Sequence, residues 1–138
     1  MTTPNIPLHE LGAQELTAAY RRRDLSPVEV TQSVLTYMER WEPHIHASYL
    51  LRPELALEQA RASEARWQRG APCGVLDGVP VTLKDNIATR GDPMPLGTLA
   101  TELAPASADA PPAARLFEAG AVLVCKTTMP DYGMLSSG

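Results

Sequence analysis

Lys84 closes the run Gly74-Val-Leu-Asp-Gly-Val-Pro-Val-Thr-Leu-Lys84-Asp85, in which a glycine- and proline-punctuated turn feeds a short apolar strand. A lysine carried into a dry layer must find a partner or lose its proton, and a neutral amine is a general base. The same spacing also allows a strand-end lysine whose stem lies along the sheet while its ammonium reaches water. Strand alternation puts Pro80, Thr82 and Lys84 on one face and Val79, Val81, Leu83 and Asp85 on the other. Asp85 therefore points away from Lys84, and its carboxylate is expected to hold the Asp85-Asn86 turn through backbone N–H groups.

The other reactive side chains are isolated. His9, His44 and His46 are the only histidines, and none adjoins a nucleophile turn. His44 and His46 stand two apart, without the cysteine or carboxylate companions a metal site needs, so no metal is expected. Cys73 and Cys125 lack metal-ligand spacing and read as reduced thiols of a cytoplasmic protein, a disulfide between them staying open. Cys125 reads as a small buried hydrophobe. Lys126 reads as structural, tying a strand end to a loop.

These residues need elements to position them. Leu11, Leu16 and Ala19 mark a short amphipathic helix that ends in Arg21-Arg22-Arg23, positive charge suited to a last helical turn. Ser26 caps a second helix, with Pro27 at its first position and Glu29 completing a capping box. Val30, Val34, Tyr37, Met38 and Trp41 form one apolar stripe on it, and Pro43 is expected to stop it. Residues 47–51 suit a short strand. A third helix over 54–68 ends near Gly70, with Trp67 as a core plug.

Residues 79–83 and 121–124 are apolar at nearly every position, the pattern of strands buried on both faces. A loop over 91–108 and a helix over 111–119 lie between them, with Asp109 as the expected helix cap. Strand, helix, strand is a βαβ unit, with a right-handed parallel connection as the default. Two strands cannot cover a sheet's faces, so the fold class is α/β and the unit reads as the start of a larger α/β/α layer.

Composition excludes several classes. With 44% hydrophobic and 20% charged residues among 138, the chain has the make-up of a globular protein, neither disordered nor fibrous. A net charge of −4, with no basic run beyond the arginine triplet, argues against a nucleic-acid surface. No basic-then-apolar leader is visible, and the longest apolar run (119–125) is too short to span a bilayer, so no membrane role is expected.

Gly78-Val79-Pro80-Val81-Thr82-Leu83-Lys84-Asp85 resembles the Gly-Val-Pro-x-x-x-Lys-Asp run of the amidase signature family. Ser26-Pro27-Val28-Glu29 resembles that family's early helix opening, and Gly97-Thr98 its loop after the lysine strand. Asp109-Ala110-Pro111, Arg115-Leu116 and Ala119-Gly120-Ala121-Val122 resemble the helix and strand that follow. Lys126-Thr127-Thr128-Met129-Pro130-Asp131-Tyr132-Gly133 is similar to its Gly-Lys-Thr-Asn-Met-Pro-Glu-Phe segment, Cys125 standing where the family often has glycine. The order is collinear over nearly the whole chain.

The resemblance implies that residues 1–138 are the N-terminal segment of a single amidase domain with a mixed central sheet, helical over 1–70 with the βαβ unit over 71–138. It implies hydrolysis of a small-molecule carboxamide by a Ser–cis-Ser–Lys triad in which Lys84 is the base, with no metal or organic cofactor. The family's two serines lie downstream of the segment matched here, so these 138 residues alone are expected to be inactive. Met134, Ser136 and Ser137 fall where the family's chain runs beside the substrate pocket. They are candidate substrate contacts, and the terminal Ser136-Ser137-Gly138 is not the nucleophile turn. Two alternatives stay open. One is the amidase component of a tRNA-dependent amidotransferase, which the missing basic patch disfavours. The other is an inactive binding module or remnant that self-associates through an uncovered sheet.

Overall fold

The computed structural model describes residues 6–134; Ser136 and Ser137 lie outside the described residues. Helix α1 (Ala13–Arg22) opens at Gly12, whose N–H donates to the Glu15 carboxylate at 2.7 Å. Arg21 and Arg22 occupy its last turn, and Arg23 closes it in the left-handed conformation at φ 63°. Helix α2 (Pro27–Ile45) carries the expected capping box: the Glu29 N–H donates to Ser26 Oγ at 3.1 Å, and the Ser26 N–H donates to the Glu29 carboxylate at 2.9 Å.

Pro43 does not stop α2, contrary to the expectation from sequence. A proline this close to a helix end removes only one late intrahelical hydrogen bond. The stop comes at His46, which takes a left-handed φ of 47° and donates its N–H to the Glu42 carbonyl at 2.9 Å.

Strand β1 (Ser48–Leu51), helix α3 (Pro53–Gln68), strand β2 (Pro80–Lys84), helix α4 (Pro111–Glu118) and strand β3 (Val122–Thr127) complete the regular structure, with 3-10 turns at Leu8–Glu10 and Asp131–Gly133. The sheet order is β1-β3-β2, with β2 parallel and β1 antiparallel to the central β3. A mixed sheet flanked by helices is thus present.

Side chains alternate across β3. Val122 and Val124 pack on Ala56 and Ala60 of α3 and on Val34 and Met38 of α2. The two alanines are fully buried, and their small side chains let α3 lie close on the sheet. Leu123 joins Leu83 and Ala113 in a second cluster with Leu116 and Phe117 of α4. Leu16, Tyr20, Val30 and Val79 form a third, against which Trp67 packs as the expected plug, its Nε1–H donating to the Asp77 carbonyl at 3.1 Å.

Burial on both faces holds for β3 and fails for β2. Residues 122–126 are all buried, whereas Thr82 and Lys84 are exposed and only Leu83 of β2 is fully buried. The difference follows from position: β3 has a neighbour on each side, while β2 is an edge strand among the described residues.

The N-terminal ends of β2 and β3 meet at Asp77, which is wholly buried. Arg66 of α3 grips its carboxylate through Nε at 2.8 Å and a terminal nitrogen at 2.6 Å, and the Cys73 N–H adds a third bond at 2.7 Å. Gly120, at φ +82°, passes so close that a Cβ there would lie 2.6 Å from Asp77 Oδ1. Burial, the largest single influence, would raise the Asp77 carboxyl, but the hydrogen bonds it accepts and the Arg66 charge together outweigh it and hold the group below its usual range.

Asp109 does not cap α4. Ala110 takes the N-cap position without a side-chain bond, and Asp109 instead accepts the Arg90 N–H at 2.7 Å, pinning the long loop to the helix entrance.

Candidate functional site at the carboxyl ends of the parallel strands

In open α/β sheets, ligands bind outside the carboxyl ends of the strands, where loops converge. Lys84 is the last residue of β2 and pairs in register with Thr127, the last residue of β3. Its side chain is exposed. The dry layer expected for it is therefore missing among the described residues, because Leu83 turns into the α4 cluster while Thr82 and Lys84 lie on the open face of an edge strand. The reading of a strand-end lysine reaching out of the sheet describes this geometry.

Around Lys84 the backbone is tightly organised. The chain turns directly after it, with the Ile87 N–H donating to the Lys84 carbonyl at 3.0 Å and the Asp85 N–H to the Thr127 carbonyl at 3.0 Å. Asp85 is buried on the opposite side, as alternation requires. Its carboxylate does not bind its own turn. It accepts the N–H groups of Leu96 and Gly97, at 3.1 and 2.8 Å, and so reaches a loop about ten residues away.

That loop leans on the segment after β3. Gly97 has φ +70°, and a Cβ there would stand 2.6 Å from the Pro130 carbonyl oxygen and closer still to that of Met129. The Tyr132 N–H donates to the Leu96 carbonyl at 2.8 Å. Lys84 Nζ faces this wall, 4.0 Å from where a Gly133 Cβ would be. Met134 follows directly and is exposed.

The buried lysine of the chain is Lys126. On central β3 it is 1% exposed, and its Nζ donates to the Ile87 carbonyl at 2.5 Å and the Asp85 carbonyl at 3.2 Å. It ties a strand end to a loop, as the sequence suggested. Burial lowers its pKa, and the carboxylates of Asp92 and Asp85 oppose that shift. Its ammonium lies 5.9 Å from the ring centroid of Tyr49. The Tyr49 hydroxyl donates to the Pro93 carbonyl at 2.6 Å, and its pKa is pushed up to about 12, first by burial and then by Asp85 and Asp92.

Asp92, ion-paired with Arg52 and accepting the Thr89 hydroxyl at 2.6 Å, completes this cluster. Sequence reasoning missed Tyr49, Arg52 and Asp92. Each sits in a different segment, and only the Gly91-Asp92-Pro93 turn offered a local signal, one for a bend and not for a partner.

Other candidates are placed elsewhere. Cys125 is buried, and burial raises its thiol to about 11; Cys73 is free and exposed. His44 and His46 are exposed at the end of α2, and among the described residues no group of three or more His, Cys, Asp or Glu is placed to hold a metal. A groove of about 530 Å³ between α2 and the sheet is lined by Val34, Tyr37, Met38, Trp41, Val81 and Cys125. It is mostly apolar and does not reach Lys84, so we place the chemistry at the strand ends and read the groove as an uncovered sheet face. No helix among the described residues is long and apolar enough to cross a membrane.

Comparison with known proteins places this arrangement. The family profile described as Amidase matches residues 29–138. The A subunit of glutamyl-tRNA(Gln) amidotransferase from Chloroflexus aurantiacus is 39% identical over 132 residues, covering 94% of this chain and 27% of that protein. The solved structure of native peptide amidase from Stenotrophomonas maltophilia superposes with a TM-score of 0.82 at 29% identity, over 91% of this chain and 26% of that one. A bacterial aryl acylamidase of the amidase signature enzymes gives 0.82 at 29%, over 92% of this chain and 27% of its own. The chain belongs to the amidase signature family, and it spans about a quarter of the length of these relatives.

Proposed function

We propose that residues 1–138 form the N-terminal segment of one amidase domain that hydrolyses the C–N bond of a small-molecule carboxamide, with Lys84 as the base of a Ser–cis-Ser–Lys triad. The observation that carries this reading is the place of Lys84. It lies inside the matched segment, at the carboxyl end of a parallel strand, with its Nζ facing the 129–133 wall and without a hydrogen-bond partner among the described residues.

In this scheme the Lys84 amine takes a proton from a bridging serine, which takes one from the nucleophilic serine. That oxygen attacks the amide carbonyl, the amine departs with a proton, and water then releases the acid from the acyl-enzyme. Neither serine is assigned among residues 1–138 in this scheme; both, and the low-dielectric cover that a lysine base needs, would have to come from further sequence. Met134, Ser136 and Ser137 would lie beside the acyl group of the substrate. No step calls for a metal or organic cofactor.

The test begins with the reading frame that continues past the Gly138 codon. A serine- and glycine-rich nucleophile turn in frame, and amide hydrolysis by the continuous protein that Lys84→Ala abolishes, are the expected results. Near-normal turnover in the Lys84→Ala protein would sink the assignment.

A second reading is favoured by the relatives named as A subunits of glutamyl-tRNA(Gln) amidotransferase, two of which are 34% and 39% identical to this chain. The same lysine would then serve release of ammonia from glutamine for a partner protein. Glutamine hydrolysis that rises on adding such a partner, with little action on simple amides, would select this reading. Without any downstream serine turn, the 138 residues would instead be a non-catalytic module that associates through the open face of β2.

A further inference from the structure

The chain contains ten arginines and only two lysines, and both lysines lie at the carboxyl ends of neighbouring parallel strands. One is exposed and one is buried, and they sit one register step apart, Leu83 opposite Lys126 and Lys84 opposite Thr127. Burying an ammonium is costly unless its protons are taken up, so a lysine at 1% exposure in the middle of a sheet requires a structural return.

The return is visible in its bonds. Lys126 Nζ binds the carbonyls of Asp85 and Ile87, two residues of the turn that starts at Lys84. Among the described residues those carbonyls have no strand partner, since β2 has ended. The Asp85 N–H is held by the Thr127 carbonyl and the Ile87 N–H by that of Lys84, so the peptide groups following Lys84 are fixed from both sides. The Asp85 carboxylate then carries the constraint to Leu96 and Gly97, and these seat the 129–133 segment that Lys84 Nζ faces. One buried ammonium thus anchors both the strand end that bears Lys84 and the wall opposite it.

We infer that Lys126 is a positioning residue for Lys84: a buried clamp that fixes the 84–87 turn and, through Asp85, the distance between Lys84 Nζ and the 129–133 wall. The inference rests on the proposed role of Lys84 for its functional meaning, but not for its geometry. Asp85, Asp92 and the Tyr49 ring surround the clamp, and Arg52 neutralises Asp92 from the outer side.

Because there are only two lysines, a chain labelled with carbon-13 and nitrogen-15 lysine gives two side-chain signals in the NMR spectrum. In the unmodified 138-residue chain, the ammonium protons of Lys126 should exchange slowly with water and show through-space contacts to Ile87, while those of Lys84 exchange fast. Equal fast exchange at both lysines would overturn the clamp without any variant being made. In Lys126→Met, the Lys84 side-chain signal should shift and lose its through-space contact to Gly133, while amide signals from α1 to α3 stay in place. An unmoved Lys84 signal in a folded Lys126→Met chain would overturn positioning. A Lys126→Met chain that does not fold leaves the exchange contrast in the unmodified chain to decide. None of these readouts requires turnover, so failure of the hydrolase reading and failure of the clamp are separately visible.

Discussion

Replacing Asp77 by asparagine keeps the shape of the hub that joins β2, β3 and α3 and removes its charge. The carboxylate is wholly buried and takes hydrogen bonds at 2.8, 2.6 and 2.7 Å from Arg66 and the Cys73 N–H. Bonds to a charged group are worth roughly 1.5–3 kcal/mol each, but an amide retains one acceptor and Arg66, 23% exposed, regains some water. The net loss should be about 3 kcal/mol, near the lower end for breaking a buried pair. At roughly 3 °C per kcal/mol for a chain of this size, the melting temperature should fall by about 9 °C.

Urea and thermal unfolding of the 138-residue chain measure this directly, and a cycle with Arg66→Met isolates the pair. The coupling should be about 2 kcal/mol, and additivity within about 0.5 kcal/mol would refute the account of the hub. The pH dependence gives an independent check. The folded Asp77 carboxyl titrates below its unfolded value of about 3.9, so its stabilisation is fully present above that pH and is lost as pH falls through the lower folded value. The gap between the natural chain and Asp77→Asn should therefore close on acidification. A constant gap down to full acid unfolding would contradict that source of the stabilisation.

Three further outcomes are expected. Lys84→Ala in the 138-residue chain should change stability by less than about 0.5 kcal/mol, because the side chain is exposed; calorimetry showing a larger loss would mean that Lys84 is packed. Gly97→Ala should destabilise by more than about 2 kcal/mol, adding left-handed backbone strain to collision with the Met129 and Pro130 carbonyls, whereas Gly91→Ala, at φ +85° in open space, should lose only the strain; equal losses in urea titrations would discount the close approach. A thiol reagent at pH 8 should consume one thiol per folded chain, Cys73, since a Cys125 thiol at about 11 is only about one part in a thousand thiolate and is buried; two thiols reacting at similar rates would refute its burial.

Local chemistry was legible in the sequence, and distant partnership was not. The Ser26–Glu29 capping box, the arginine-rich end of α1 and the apolar run of β3 depend on residues within a few positions, and all three stand as read. Pro43 and Asp109 show the limit even of local rules: a helix end was decided by the backbone of His46, and a cap residue was drawn off by the Arg90 N–H. The two lysines show it for the site. Nothing near Lys84 records that its strand has an open side among the described residues, and nothing near Lys126 records that two carbonyls some 40 residues earlier wait for its ammonium. Motif order marked both lysines; burial, which depends on partners distant in sequence, separates the exposed Lys84 from the buried Lys126.

The antiparallel pairing of Ser48 with Thr127 spans 79 residues, from position 48 to position 127. On a ribosome adding about 5–20 residues per second, β1 emerges roughly 4–16 s before its partner exists. Helices α2 and α3, adjacent in sequence and packed on each other, can form in that interval. Strand β1, with Tyr49, Leu50 and Leu51 between them, then hangs as an unpaired ribbon of backbone donors and acceptors. Until β3 is made, residues 48–51 have no strand of this sheet to pair with, so the order of synthesis leaves this edge uncovered longest.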